Sequence, residues 1–291
     1  MDGASMSSEA LTARILDVTP EQYHADPCLT PSLSSSIAKI LAEKSPAHAR
    51  IAHPRLGAQV PHASTPAMDA GSVIHRLVLG KGGDFAPLDF PDYRTKAAQQ
   101  ARDAARAAGL TPMLAHEVSE LTDAAGHITA QLTALGFRID PKRSEIAAEW
   151  QERVHASDAL VQCRCMFDNV DFDSGLILDL KKTVSASPVE IQRTITRYGY
   201  DIQHAAYTSA LRTLRPSLAG HEEFIFLFVE VEEPYAVTPV KLTGDFRALG
   251  DSRWSRAVRT WYESLEANDW PAYTRGIIEI EPTPWAMAAG M

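Results

Sequence analysis

Cysteine is scarce in this chain. Its three residues, Cys28, Cys163 and Cys165, cannot close a paired disulfide framework, and two of them are nearly adjacent. Positive charge is in deficit as well: 28 basic against 37 acidic side chains leave −9. That balance excludes a histone-like protein that holds nucleic acid by bulk charge. It does not exclude a nucleic-acid enzyme, which needs only a local basic surface and bound metal. Long apolar runs are missing too. The longest strongly apolar one is Phe224-Ile-Phe-Leu-Phe-Val229, far short of the ~20 residues that span a bilayer, so no membrane partner is expected. The opening Met1-Asp-Gly-Ala-Ser lacks the basic and then apolar order of an export signal, so a cytoplasmic location is expected. Internal repeats and low-complexity blocks are absent.

What remains is an ordinary globular composition, 45% hydrophobic and 22% charged, which argues against a disordered chain. A chain of 291 residues buries roughly 75% of its unfolded surface, enough for a core without covalent staples. Residues 1–14 are small and polar and predict a flexible N-terminus, followed by one domain over 15–291. Thr19-Pro20, Ser45-Pro46 and Thr65-Pro66 each place a capping side chain before a proline suited to the first helical turn. Leu33 to Leu41 predicts a serine-capped helix, and the helix opened at Thr65 can close at Gly80. Residues 93–108 form a basic, alanine-rich helical stretch, and Thr111-Pro112 predicts a further helix to about Gly136. After Pro141 the period changes: 146–154, 159–168 and 175–182 read as antiparallel strands, with Asn169 to Gly175 as a tight connection. Helices over 188–197 and 201–214, strands over 223–231 and 235–242, and a helix from Thr243 to Ala267 complete the pattern. The fold class is α+β, a helical N-terminal half feeding a central mixed sheet flanked by helices.

The segment Leu176-Ile-Leu-Asp-Leu-Lys-Lys-Thr183 carries the first chemistry, because strand alternation puts Asp179 and Lys181 on one face. A carboxylate and an ammonium side by side suit metal-assisted phosphodiester hydrolysis: one holds a hard cation, the other positions water or neutralises developing charge. Asp168 ends the preceding strand, and a hairpin would bring its carboxylate beside Asp179. Asp168 equally suits a turn cap, a role for which Asn169, Asp171 and Asp173 compete.

Asp168 followed by Asp179-x-Lys181 resembles the core of the PD-(D/E)xK nuclease superfamily, and most nearly its RecB/RecE-like exonuclease branch. Gly71-Ser-Val-Ile-His75-Arg-Leu-Val-Leu-Gly80 is similar to that branch's early helix, whose histidine is a metal ligand. Tyr198-Gly-Tyr-Asp-Ile-Gln203-His-Ala-Ala-Tyr207 resembles its Gln-x-x-x-Tyr helix, and Trp270-Pro-Ala-Tyr273 with Pro284-Trp285 resembles the C-terminal segment of phage and prophage RecE-like proteins. One departure is Arg164, which sits further from the first aspartate than the branch's arginine does.

The resemblance implies a restriction-endonuclease-like core and a metal-dependent exonuclease acting on double-stranded DNA ends. It further implies phage or prophage recombination beside a single-strand annealing protein, and rings of subunits, hence a homo-oligomer. On that reading Asp168, Asp179, His75 and the carbonyl of Leu180 bind Mg²⁺ or Mn²⁺. Oxygen ligands favour these hard cations, and one imidazole is compatible with Mn²⁺. Lys181 acts on the water, while Gln203 and Tyr207 hold the catalytic loop and contact DNA. Bland readings stand beside these: a core histidine at 75 and an amphipathic helix through 203 and 207. Glu149 is either a further acidic ligand or a solvated strand residue, and Ser34, Ser35 and Ser36 either contact a terminal phosphate or simply cap a helix. Arg94, Lys96, Arg102 and Arg106, with Arg193 and Arg197, are expected to line a DNA channel. Two other functions fit the pattern: a catalytically inactive DNA-binding or assembly protein on the nuclease fold, and a structure-specific or restriction endonuclease. With only three cysteines, a four-cysteine iron–sulfur cluster within one chain is not expected, and Cys163 and Cys165 are expected to pack on one strand face.

Overall fold

The computed structural model describes residues 11–57, 64–274, 276–283, 285 and 287. The first ten residues of the expected N-terminal arm and Pro284 lie outside them. Regular structure starts earlier than the sequence suggests. Strand β1 (Ala13–Leu16) pairs antiparallel with β4 (Ser144–Arg153), which fixes Ala13 and Arg14 in the sheet.

The capping signals at Thr19 and Thr65 act as expected, whereas Ser45 makes no side-chain cap and its hydroxyl instead meets His48 Nδ1 at 2.7 Å. Thr19 and Gln22 close a reciprocal capping box on α1 (Pro20–His24). The Ser34 hydroxyl accepts from the Ile37 amide at the head of α2 (Ser35–Glu43). Short α3 (Pro46–Ala52) follows. Thr65 caps α4 (Pro66–Leu79), and Gly80 ends it in the left-handed region at φ 69°.

Two segments depart from the sequence reading. Thr111-Pro112 does not open a helix; Thr111–Leu114 is strand β3, paired in parallel with β2 (Phe85–Leu88), and α6 (Ala115–Ala134) starts after it. Packing overrides the threonine–proline signal, because Met113 and Leu114 are buried and Met113 sits in a small cluster with Val73 and Leu121. Helix α5 (Lys96–Ala107) lies between these two strands in sequence, as expected. The second departure is the connection after β5 (Leu160–Asp171). The strand runs on to Asp171 and the turn occupies 172–175, because Asn169 is buried and its amide donates to Asp140 O and Ser144 Oγ, both at 2.9 Å.

The central sheet has the order β1-β4-β5-β6-β7-β8, with β6 (Leu176–Lys182), β7 (Glu223–Val229) and β8 (Val237–Val240). All neighbours are antiparallel except β6 and β7. A parallel pair needs a crossover, and α7 (Pro188–Tyr198) with α8 (Tyr200–Leu214) supplies it. Helix α9 (Gly244–Glu266) follows the sheet.

Alternation on β6 assigns its faces. Ile177 joins the larger core with α2, α8 and α9, whereas Leu178 and Leu180 join the core of α4 and α6 with Ile74, Val78, Ile128 and Leu132. Asp179 and Lys181 therefore face α8. The larger core is held by a polar node as well as by packing. The indoles of Trp150 and Trp254 each donate to Glu152 Oε2 at 3.1 Å, and Ser209 Oγ donates to the same oxygen at 2.6 Å. Three donors on one half-buried carboxylate oxygen tie β4, α8 and α9 together. Cys163 and Cys165 are fully buried on the same face of β5 as Phe167, which is the strand packing expected of them. Among the described residues no helix is long and apolar enough to cross a membrane.

Helix α9 approaches α8 closely at Gly250, where an added Cβ would lie 2.2 Å from Asp201 O. Gly250→Ala is expected to destabilise the fold by about 1–3 kcal/mol through overpacking. Gly126→Ala, on α6 with open space at its Cβ, is expected to stabilise by about 0.5–1 kcal/mol through helix propensity. Thermal unfolding of the two variants checks the contrast; equal shifts would contradict it.

Candidate active site

Strands β5 and β6 pair only through Asn169↔Leu178, Val170↔Ile177 and Asp171↔Leu176, and then diverge. One register step beyond that pairing, Asp168 stands opposite Asp179, as the hairpin reading expects. Asp168 Oδ2 accepts from the Leu180 amide at 2.8 Å, which gives this strand amide a partner where the β5 ladder has stopped. Odd-numbered residues from Val161 to Phe167 face the larger core, and so does Val170. Alternation thus breaks across Asp168 and Asn169. The neighbouring strand is irregular at the same place: the β4–β5 register brackets Glu145 opposite Asp168, and Glu145 has φ 52°. A positive φ at a residue with a Cβ is costly, of order 1–3 kcal/mol, and such strain clusters at functional sites.

The fork brings six residues of the sequence reading together: Asp168, Asp179, Leu180, Lys181, Gln203 and His75. Asp179 is fully buried; one of its oxygens pairs with the Lys181 ammonium, and the other accepts from Gln203 Nε2 at 2.6 Å. Gln203 thus holds the carboxylate from α8. Lys181 Nζ lies 4.7 Å from the centroid of the Tyr200 ring. His75, on α4, reaches the fork from the opposite face of the sheet. Its Nε2 lies 2.9 Å from Leu180 O, and its Nδ1 lies 3.7 Å from Asp168 Oδ2. A carbonyl only accepts, so Nε2 donates to Leu180 O, and Nδ1 faces Asp168.

One acidic residue of the site escapes the sequence reading. Ligand atoms of His75, Glu145 and Asp168 lie within 4.8 Å of one another, so the acidic partner on β4 is Glu145. Glu149 stands four residues away, roughly 13 Å along a strand, where it is held by Arg14 on β1. Tyr207, expected beside Gln203, instead turns into the core, edge-on to Phe167 at 5.4 Å. Arg164 is buried against Ser32 and Asp26 and binds the N-terminal helical region to β5. The basic stretch of α5 is largely neutralised: Arg106 pairs with Asp69, Arg102 with Asp103 and Arg94 with Asp92. The cavity beside it, about 910 Å³, contains the Asp69–Arg106 pair and none of the fork's groups.

The electrostatics of the fork are those of a place short of positive charge. Burial, followed by repulsion from Asp168, pushes the Glu145 carboxyl up to about 7, with Lys81 opposing. Burial is also the main cause that pushes Asp179 up to about 7; Lys181 and Gln203 oppose it, and Asp168 adds to it. Burial works against the Lys181 ammonium, yet Asp179 and Asp168 hold its pKa above the ordinary value. The pair therefore keeps its proton on the lysine, and three carboxylates face two ammonium groups, Lys181 and Lys81. A hard divalent cation would relieve that imbalance, and carboxylate oxygens with one imidazole are a donor set it accepts. The fork opens into a cleft of about 940 Å³ that contains His75, Lys181, Lys182, Arg193, Arg197, Tyr198 and Tyr200.

Comparison with known proteins agrees with this architecture. Residues 150–280 match a family model described as a PDDEXK-like domain of unknown function (DUF3799), and the chain carries such a domain. That span includes Asp168, Asp179, Lys181 and Gln203 and leaves out His75 and Glu145. A candidate exonuclease from Eubacterium rectale superposes with a TM-score of 0.61 at 12% identity, over 95% of this chain and 100% of that one, which is a likeness of fold. A phage-related exonuclease from Haemophilus somnus aligns over 81% of this chain and 96% of its own at 11% identity, but its TM-score of 0.33 supports no argument. No curated protein matches the chain.

The raised Glu145 pKa has a consequence for stability. The folded protein binds more protons here than the unfolded chain does between the ordinary 4.5 and about 7. Stability of the metal-free protein is therefore fully supported below that window and falls as pH rises through it. Glu145→Gln removes the charge. We expect it to raise the metal-free Tm at pH 8 by roughly 2–4 °C and to raise it much less at pH 5, near the lower edge of the window. Adding Mn²⁺ at pH 8 should raise the wild-type Tm more than that of the variant. Equal Mn²⁺ shifts in both would take Glu145 out of the site.

Proposed function

We propose that this PDDEXK-like protein is a metal-dependent deoxyribonuclease that removes nucleotides from the ends of double-stranded DNA. The observation that carries the proposal is the convergence of Asp168, Asp179, Lys181, Glu145 and His75 at one fork beside an open, basic-lined cleft. Asp168, Glu145 and His75 Nδ1 would hold Mg²⁺ or Mn²⁺, with Asp179 and the Leu180 carbonyl completing the set. Bound there, the cation supplies Lewis acidity toward a phosphoryl oxygen and lowers the pKa of water.

The chain's own groups do the remaining work. Lys181 is held charged and stationary by Asp179 and the Tyr200 ring, so its ammonium can orient an attacking water or offset charge on the phosphate. Gln203 fixes the rotamer of Asp179, and His75 fixes the Leu180 carbonyl. Lys182 and Arg197 form no ion pair with a carboxylate among the described residues and are free to meet DNA phosphates, whereas Arg193 is paired with Glu190. With a net charge of −9, affinity along a duplex is weak, so productive binding comes from this local site and from an end. The same reading places the enzyme in phage or prophage recombination, as a homo-oligomer that hands its product to a single-strand annealing protein.

Equal masses of linear and covalently closed circular plasmid, with and without Mg²⁺, test the reading. Linear duplex is expected to release acid-soluble nucleotide only with the metal, closed circles are expected to resist, and activity should fall steeply with salt. Closed circles cut as fast as linear DNA would favour an endonuclease; no hydrolysis at all would favour an inactive DNA-binding protein.

Two substitutions divide the roles. Asp179→Ala is expected to abolish hydrolysis and weaken metal binding while the fold persists, because removing a clustered carboxylate relieves repulsion. Lys181→Ala should retain metal binding, since an ammonium offers no lone pair, yet lose about 10²–10³-fold in kcat. Calorimetric titration with Mn²⁺ separates them. A loss of metal affinity as severe in Lys181→Ala as in Asp179→Ala would reduce the lysine to a structural partner.

A further inference from the structure

We propose that Tyr198 is a base-stacking platform, on which an unpaired nucleobase next to the reacting phosphate lies flat. The nucleotide substrate rests on the nuclease reading above; the platform rests on its own geometry. Helix α7 ends at Tyr198, and Gly199 turns the chain at φ 65°, a conformation glycine adopts without strain. An added Cβ at this glycine would meet the Lys39 stem at 3.1 Å, so the turn is closed by packing. The turn sets the Tyr198 and Tyr200 rings nearly parallel, with centroids 5.9 Å apart and planes at 22°. Tyr200 in turn stacks on Phe226 at 5.6 Å and 23°.

The result is a column of three rings running from the core to the cleft. Phe226 is fully buried, whereas Tyr198 is 48% exposed. The middle ring lies beneath the Lys181 ammonium at 4.7 Å, so the exposed ring is one stacking step from the group that acts on the phosphate. Half of the Tyr198 surface remains in water, where it gains little from burial, while its position is fixed by the rings behind it. Such a ring is a rigid, flat, apolar surface open to a ligand.

Cations surround it. Lys39 Nζ lies 5.1 Å from the ring centroid and the Arg197 guanidinium 5.7 Å. Lys39 reaches a carboxylate only at 3.9 Å, on Glu43. Exposed cation–ring contacts are weak. An arriving base can therefore take the ring face while the displaced cation turns to the adjoining phosphate. Rings that accept any base, interleaved with cations that accept the backbone, are the requirement for sequence-tolerant binding of a single strand. A base stacked inside a duplex is closed to such a face. The ligand is thus a frayed or single-stranded end.

Binding is measured by fluorescence anisotropy on the full chain in EDTA, so that no strand is cut. The probe is a labelled single-stranded oligonucleotide of about a dozen residues, with a companion carrying 2-aminopurine at its terminal position. Tyr198→Ala and Tyr198→Leu are expected to weaken binding about tenfold and to lose the quenching of 2-aminopurine. Tyr198→Trp should bind and quench at least as well as the native protein. Binding by Tyr198→Ala or Tyr198→Leu within about twofold of the native protein would overturn the platform, as would a Tyr198→Trp variant as weak as Tyr198→Ala. Hydrolysis of linear duplex by the native protein with Mg²⁺ is followed separately. Stacking without hydrolysis would sink the nuclease reading and leave the platform standing. Hydrolysis with unaltered binding by Tyr198→Ala would do the reverse.

Discussion

A buried shortage of positive charge organises this molecule. Glu145, Asp168 and Asp179 share one fork with the ammonium of Lys181. Three clustered carboxylates, Asp179 fully buried and Glu145 and Asp168 half-buried, repel one another and lose hydration, which is why the pKa values of Glu145 and Asp179 rise. Each neighbour then has a job: Gln203 restrains Asp179, the Leu180 amide restrains Asp168, and His75 leaves Nδ1 aimed at the gap. The arrangement is well suited to a divalent cation.

The scaffold must be stiff for such a site to persist, and the stiffness comes from both faces of the sheet. Helices α4 and α6 pack on Leu178 and Leu180, while α8 and α9 pack on Ile177 and the Phe224, Phe226 and Phe228 stripe. The fork lies where β5 leaves β6 and where the alternation of β5 breaks. Irregular strand geometry at a site is a known means of re-aiming side chains. Here it turns Asp168 toward Asp179, and the positive φ of Glu145 accompanies it on the next strand.

Legibility in the sequence followed locality. Helix starts were readable because a cap and the amide that donates to it lie three residues apart, as at Thr19 with Gln22 and Thr65 with Met68. Asp179 and Lys181 were readable because period-two alternation alone puts them on one face, and Asp168 because one tight turn links it to them. Glu145 was not, because its role depends on a backbone conformation that departs from strand alternation; the sequence drew attention to Glu149, which serves Arg14 instead. Tyr207 sits one turn from Gln203 on the same helix, yet that turn carries it past the fork into aromatic packing against Phe167 and Phe224. The pairing of the basic stretch of α5 was hidden for a related reason. Its partners Asp69 and Asp92 lie outside the helix, and only tertiary structure shows that the charge is already matched. Strand β3 was hidden because Thr111-Pro112 is a good local helix signal that loses to burial of Met113 and Leu114.

The central claim is that the fork between β5 and β6 is built around a divalent cation. Anomalous diffraction from crystals soaked in Mn²⁺ tests it most directly, because it locates the ion without reference to activity. A peak is expected within coordination distance, about 2.0–2.6 Å, of Asp168 and at least one of Glu145, His75 Nδ1 and Asp179. A map with no peak at the fork, or with Mn²⁺ bound only elsewhere while Lys181 and Asp179 stay paired as they are, would contradict it.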